Sequence, residues 1–371
     1  MVRHQKGNIF RRGRSWFFRY SDDVRHHDGT IKRKVICKKL PVSFGDQYRT
    51  KASLKSFADE ILAPVNAGKT NAQSTTRMVD FVEQIYLPQY ADVELRPSTR
   101  KGYGDMWRVH IKHRLEKMTL RGFRTVDGHE MLREIARDVK LGRNSLKHIK
   151  SFLSGVFKQA KRLGILDGVN PMQDVGIPRS KQPADTYAYS LLEVRKVLAV
   201  IDEPARTIVP TAALTGLRKG EIRGLRWEDF SGTELSVKRS LWNSEATEPK
   251  NARSKASISV VKQLTEALEA HRNRMGKLAV GPIFQSGSGS PLNLDNLARR
   301  IIIPALERCE FCEQLKSEHQ TDDHQFVHDN AFPKWHGWHA FRRGIATNLH
   351  QLGVAERISK QFCGTATSVS R

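Results

Sequence analysis

Apolar residues recur every three to four positions through 144–163, where Leu146, Ile149, Leu153, Val156, Phe157, Ala160 and Leu163 fall on one stripe. That spacing predicts an amphipathic helix buried along the stripe. Lys147, Lys150, Lys158, Lys161 and Arg162 occupy much of the remaining surface, and Gly164 and Asn170-Pro171 end the run. A second helix is predicted from 76 or 77 to about 91, and a third opens at Arg96-Pro97-Ser98, where proline suits a first turn. The stretch 76–180 is therefore expected to be all-helical. Ahead of it the pattern changes to short strands at 8–10, 15–20 and 31–40, with turns at Gly13, Asp28-Gly29 and Pro41, followed by a helix at 50–66. Polar stretches at 68–76 and 176–186 have the composition of linkers. Beyond them helices are predicted at 191–201, 205–214, 261–275 and 294–306, then one after Trp338 and one after Val354. Strands at 234–242 and 256–261 are expected to form a hairpin around a polar loop, 243–255. No internal repeat is visible. The expected class is multidomain α+β: a small N-terminal β-sheet domain (1–67), an all-helical domain (76–180) and a mixed, mainly α domain with a small antiparallel sheet (187–371).

Charge sharpens the picture. The 371 residues include 63 Lys and Arg against 39 Asp and Glu, a net +24. Such an excess speaks of partners, with nucleic acid first and an anionic membrane surface second. Residues 1–55 carry fifteen Lys and Arg against four acids. Within them SWFFRY interleaves aromatics with arginine, as in a sheet packed on one face and meeting phosphates on the other. A small sheet with a merely solvated basic face fits the same letters. Arg11, Arg12, Arg14, Arg19, Lys147 and Lys150 are the candidate DNA-backbone contacts. The N-terminus has no apolar signal-like core, and no run approaches the ~18 apolar residues of a membrane span. Four cysteines do not make a disulfide framework, so a reduced, cytoplasmic protein is expected.

Two stretches carry candidate chemistry. In TGLRKGEIRGLRWEDF (215–230), Thr-Gly breaks an apolar run, Arg218 follows the turn and Glu221 lies one helical turn on. Alone this is an amphipathic helix with a surface ion pair. In WHGWHAFRRGIATNLH (335–350), His339 and Arg342 are three apart and share a helical face. Two arginines and a histidine in a basic chain suggest one target, a phosphate whose charge is held while its bonds change.

These residues resemble a known family. From Tyr189 onward the chain is similar to the catalytic domain of the tyrosine recombinases, the phage-integrase family. The first half is similar in layout, an arm-binding-like sheet domain and then a helical core-binding domain. The resemblance rests on Arg218 in TGLRKGEIRGL, Lys250 in EPKNARSKASISV, and His339 and Arg342 in HAFRR. It implies a site-specific recombinase or integrase, of the kind mobile elements use, acting on duplex DNA at attachment or recombination sites. It further implies a 3′-phosphotyrosine intermediate, a homo-tetramer at synapsis, no membrane, and no cofactor for catalysis. Arg218 and Arg342 would clamp the scissile phosphate, Lys250 would protonate the leaving 5′ oxygen, His339 would assist proton transfer, and Glu221 would position Arg218. Neighbouring Lys238, Lys255 and Arg343 compete for these roles.

The chain also departs from the family. No tyrosine follows Tyr189. The family's Leu-Gly-His-like motif reads FCGTATSVSR here, with Thr365 at the His or Trp position. The nucleophile is expected about nine residues beyond Thr365, past Arg371. A non-catalytic, site-specific DNA-binding protein derived from an integrase is the rival reading, and a type IB topoisomerase a third. The second departure is an insertion, 307–334, holding Cys309, Cys312, His319 and His324, with His328 nearby. Two thiolates and two imidazoles suit a tetrahedral structural zinc. A flexible polar loop with incidental cysteines is the alternative.

Overall fold

A computed structural model describes residues 5–25, 30–45, 47–66, 71–181, 185–243, 245–247, 257–276, 280–320 and 322–354. The chain divides into two compact units, Met1–Ala184 and Asp185–Arg371. The division falls inside the polar stretch 176–186.

The first unit opens with three antiparallel strands, β1 (Asn8–Arg12), β2 (Ser15–Arg25) and β3 (Ile31–Ser43), in that order. Alternation sends Trp16, Phe18 and Leu40 onto Leu54, Ala58 and Leu62, the last two on helix α1 (Lys55–Asn66). The strands run longer than their letters suggest, and Pro41 lies inside β3 rather than at a turn. β3 is an edge strand, and pairing steps irregularly from Phe17↔Lys39 to Ser15↔Ser43, so a residue without an N–H is tolerated there. The stretch 71–76 is likewise more than a linker. Asn71 caps a short 3₁₀ turn, Ala72–Thr75, in which Ser74 and Thr75 are buried. The Thr75 hydroxyl accepts the Arg25 N–H at 2.8 Å, and Arg121 Nη2 lies 2.5 Å from Asp22 Oδ2, a carboxylate only 3 % exposed.

The helical part comes next. α2 is continuous through Met78–Phe81, Val82–Ala91 and Asp92–Glu94, its middle π-helical. α3 runs through Pro97–Met106, Trp107–Ile111 and Lys112–Leu115, and is followed by α4 (Thr125–Asp138) and α5 (Arg143–Arg162). The α5 stripe is buried as its period requires, except that Leu163 lies past the helix end and is exposed. Phe152, off the predicted stripe, is buried against Tyr86, Tyr103 and Trp107.

The second unit packs α6 (Leu191–Val200), α7 (Ala205–Thr215), α8 (Lys219–Gly224), α9 (Lys262–Arg274), a helix α10 through Leu294–Leu297, Ala298–Ile302 and Ile303–Leu306, and α11 (Trp338–Gln351) around one apolar core. The expected single hairpin is two ladders instead. β4 (Glu234–Ser236) pairs with β7 (Ser257–Ser259), while β5 (Ser240–Trp242) pairs with β6 (Glu245–Thr247), inside the predicted loop. The helix expected after Val354 lies outside the described residues.

Candidate functional site

The site is built at the end of α7. This helix is buried along most of its length and stops at Gly216, whose φ of +63° is a left-handed conformation that favours glycine. An added Cβ there would also lie 3.0 Å from Ile345 of α11. The turn delivers Arg218 as the residue capping α8. Its N–H donates to Glu221 Oε2 (2.8 Å) and its Nη1 donates to Glu221 Oε1 (2.7 Å). Glu221 is 3 % exposed and the Arg218 side chain 24 %, so a buried carboxylate holds a guanidinium that still reaches solvent.

α11 supplies the opposite wall. Arg342 is buried and donates through Nη1 to the Gly216 carbonyl, binding α11 to the same turn that carries Arg218. Arg343 turns elsewhere and donates to the Tyr187 carbonyl at 2.6 Å. The adjacent arginines thus separate by partner, and Arg342 is the one at the turn. His339, one turn before it, is held below the ordinary imidazole value, first by desolvation and then by the charges of Arg343, Arg342 and Arg218, with Glu221 opposing. A neutral imidazole beside two guanidiniums is suited to pass a proton at neutral pH.

Two tyrosines border this site and both serve structure. Tyr189 is buried, stacks on Phe341 at 4.5 Å, donates to the Lys334 carbonyl (2.9 Å) and accepts the His336 N–H (2.7 Å). Burial drives its ionisation upward. The Tyr187 hydroxyl donates to Glu193, and that bond with burial raises it to about 12.

Comparison with known proteins bears on the fold that carries this site. No family model matches the chain. A XerC-like tyrosine recombinase of Caldanaerobacter subterraneus subsp. tengcongensis is 21 % identical over 384 residues, covering 97 % of this chain and 92 % of the relative. A lambda integrase dimer bound to a COC′ core site matches with a TM-score of 0.60 at 17 % identity, covering 98 % of this chain and 92 % of that one. The Tn1549 transposon integrase in complex with transposon right-end DNA gives 0.61 at 17 % identity, covering 79 % and 92 %. The chain has the fold of these integrases and is similar over nearly its whole length to a tyrosine recombinase.

Against the tyrosine-recombinase pattern, two expected residues, Lys250 and Thr365, lie outside the described residues, as do Lys255 and Cys363. Lys238 is engaged, its Nζ 3.0 Å from the buried Asp229, which Arg239 also contacts at 2.5 Å. Sequence reading missed Asp229 and the Gly216 carbonyl; Arg226 pairs with Glu228 instead, and the bases that hold Asp229 lie nine and ten positions on, beyond any helical spacing.

The basic candidates differ in setting. Arg12 and Arg19 lie over the Phe10 ring, which stacks on Phe17 at 5.7 Å, all on the sheet face away from α1. Arg11 lies over Phe44 at 4.3 Å, and Arg14 is exposed in the β1–β2 turn. On α5, Lys147 is exposed, but Lys150 donates to the Gln173 and Val175 carbonyls at 3.1 and 2.5 Å. Lys150 therefore fastens the chain after α5 as well as facing a 580 Å³ cavity lined by Tyr86, Tyr103, Lys147 and Lys158.

The insertion brings its four candidate ligands together. One ligand atom from each of Cys309, Cys312, His319 and His324 lies within 4.8 Å of the others. His328 is not among them. Burial would raise the Cys309 thiol, but backbone N–H groups of Cys312, Val327 and Phe311 and the His324 ring outweigh it and lower the thiol to about 5.

Proposed function

We propose that this chain is a site-specific DNA recombinase of the integrase type, with an arm-binding sheet domain at 1–67, a core-binding helical domain at 76–180 and a catalytic domain at 187–371. One observation carries the reading: Arg342 is bonded to the turn that presents Arg218, Glu221 fixes Arg218 from behind, and His339 sits in their combined field. Bidentate guanidiniums complement the non-bridging oxygens of a phosphodiester and the charge that grows on them in a pentacoordinate transition state. A hydroxyl nucleophile attacks phosphorus, the 5′ oxygen departs with a proton from Lys250, and a 3′-phosphoester to the protein keeps the bond energy for rejoining. No metal or nucleotide enters these steps, and the cluster in the insertion is given at most a structural zinc. The relatives' complexes support duplex DNA as the partner, and the lambda integrase tetramer bound to a Holliday junction supports tetrameric synapsis.

Tyr187 and Tyr189, both tied into the core, favour a second reading, a polypeptide that binds its site without cutting it. A nicked suicide substrate separates the two. The 371-residue polypeptide is expected to shift the DNA but form no covalent adduct. The same chain extended to place a tyrosine about nine residues past Thr365 is expected to form one. In that extended form Arg218→Ala or Arg342→Ala should lower cleavage by roughly 10²-fold or more with a much smaller loss of binding. An adduct from the unextended chain would overturn the assignment of the nucleophile, and an extended chain with no adduct would favour the binding protein.

A further inference from the structure

Between α10 and α11 the chain has almost no core of its own. Among the described residues of 307–332, Cys309 alone is buried, and Phe311 is 68 % exposed. So thin a segment holds a defined shape only with a crosslink, a metal or a partner. Yet its backbone is laid out as a knuckle. Cys309 N–H donates to the Gln314 carbonyl and Glu313 N–H to the Cys309 carbonyl, both at 2.9 Å, with Glu313 at a φ of +58°. A left-handed residue right after Cys312 folds the two sulfurs to the same side, at a steric cost that a non-glycine residue bears only where something holds the turn. Glu310 N–H donates to the Val327 carbonyl (2.8 Å) and Asp329 N–H to the Arg308 carbonyl (2.9 Å), so the far end of the insertion returns to the first cysteine.

The four side chains converge without an adequate reason of their own. His324 Nε2 lies 3.2 Å from both Cys309 Sγ and His319 Nε2. Zinc held by two thiolates and two imidazoles at about 2.3 and 2.0 Å would space its ligands about 3.3–3.8 Å apart, near the two 3.2 Å separations and within an ångström or so of the 4.8 Å that bounds all four. S₂N₂ tetrahedral donors with no carboxylate favour zinc over magnesium, calcium or manganese.

Beyond the knuckle lies the wall of the candidate site. The chain runs past Lys334 and His336, which clasp the Tyr189 hydroxyl from both sides. The His336 ring stacks on Tyr187 at 3.6 Å and 9°, and Trp335 meets Trp338 at 5.2 Å in the first turn of α11. We propose that Cys309, Cys312, His319 and His324 hold a structural zinc ion that braces the insertion, and that the brace sets the strap which seats the helix carrying His339 and Arg342. The brace goes beyond the recombinase reading, and its test uses DNA-free protein, so either idea can fail alone.

Purified chain is expected to carry about one zinc per molecule by elemental analysis, and cobalt substitution should give the strong visible bands of a tetrahedral thiolate site. Cys309→Ser and His324→Ala should lose the metal, while Cys37→Ser, at an exposed cysteine, and His328→Ala should keep it. Chelation of the wild type, followed by hydrogen exchange, should speed exchange at least several-fold in 334–350 and leave the first unit unchanged. If Cys309→Ser does not fold, the wild-type cobalt spectrum and the chelation experiment still decide. Absence of bound metal after zinc-supplemented purification, retention of metal by Cys309→Ser, or exchange in 334–350 that ignores chelation would each overturn the proposal.

Discussion

His339 and Glu221 carry the most specific expectations for single residues. Because His339 is depressed in the folded state, the unfolded chain binds more protons wherever pH lies between the folded and ordinary values. Its contribution to stability is therefore full above about pH 6.5 and is lost as pH falls below it. His339→Gln should flatten the stability-against-pH curve across that window, as read by denaturant unfolding at a series of pH values. His271, also depressed by burial, leaves a residual slope in both proteins, so the difference between them is the test. Glu221→Ala should cost about 2 kcal/mol, since a buried charge-assisted pair and an N–H bond vanish together. It should also slow any cleavage by the tyrosine-extended chain. A Glu221→Ala protein with wild-type stability would show that the pair is ornamental.

At the scale of elements, the close approach of α11 to the chain before α6 makes the sharpest prediction. A Cβ on Gly344 would fall 2.3 Å from the Tyr189 carbonyl oxygen, a backbone atom that has little room to retreat. Gly344→Ala gains roughly 1 kcal/mol of helix propensity, yet it should destabilise by about 2 kcal/mol or more through overpacking, visible as a lower midpoint in urea. Long periodic elements such as α5 were legible because burial and period coincide over twenty residues. The β5–β6 ladder was not, because Glu245, Ala246 and Thr247 form a three-residue strand without an alternating apolar signal. The choice between Arg342 and Arg343 was equally hidden from periodicity, since neighbours on a helix differ by only about 100°. The deciding partner, the Gly216 carbonyl, is 126 positions away in sequence. Pro41 misled for a related reason: a proline marks a turn in local sequence, and only the sheet order shows that it sits on an edge.

For the whole molecule, the net +24 charge predicts binding to duplex DNA that weakens steeply with salt, by roughly 10³-fold or more between 50 and 200 mM if six or more phosphates are engaged. Arg12→Glu with Arg19→Glu, on the open sheet face, should reduce that slope without altering the folded core, measured by titrations at several salt concentrations. An affinity indifferent to salt would argue that the charge serves solubility alone. The pair formed by Asp22 and Arg121 bears on how the first unit can be taken apart. Asp22 is buried on the sheet side, Arg121 belongs to the helical side, and each neutralises the other. The sheet is therefore not a freely exchangeable cassette: a graft from another protein that brings no acid to position 22 leaves the Arg121 guanidinium without the carboxylate that neutralises it. Swapped chimeras should express well only when the acid and the base travel together.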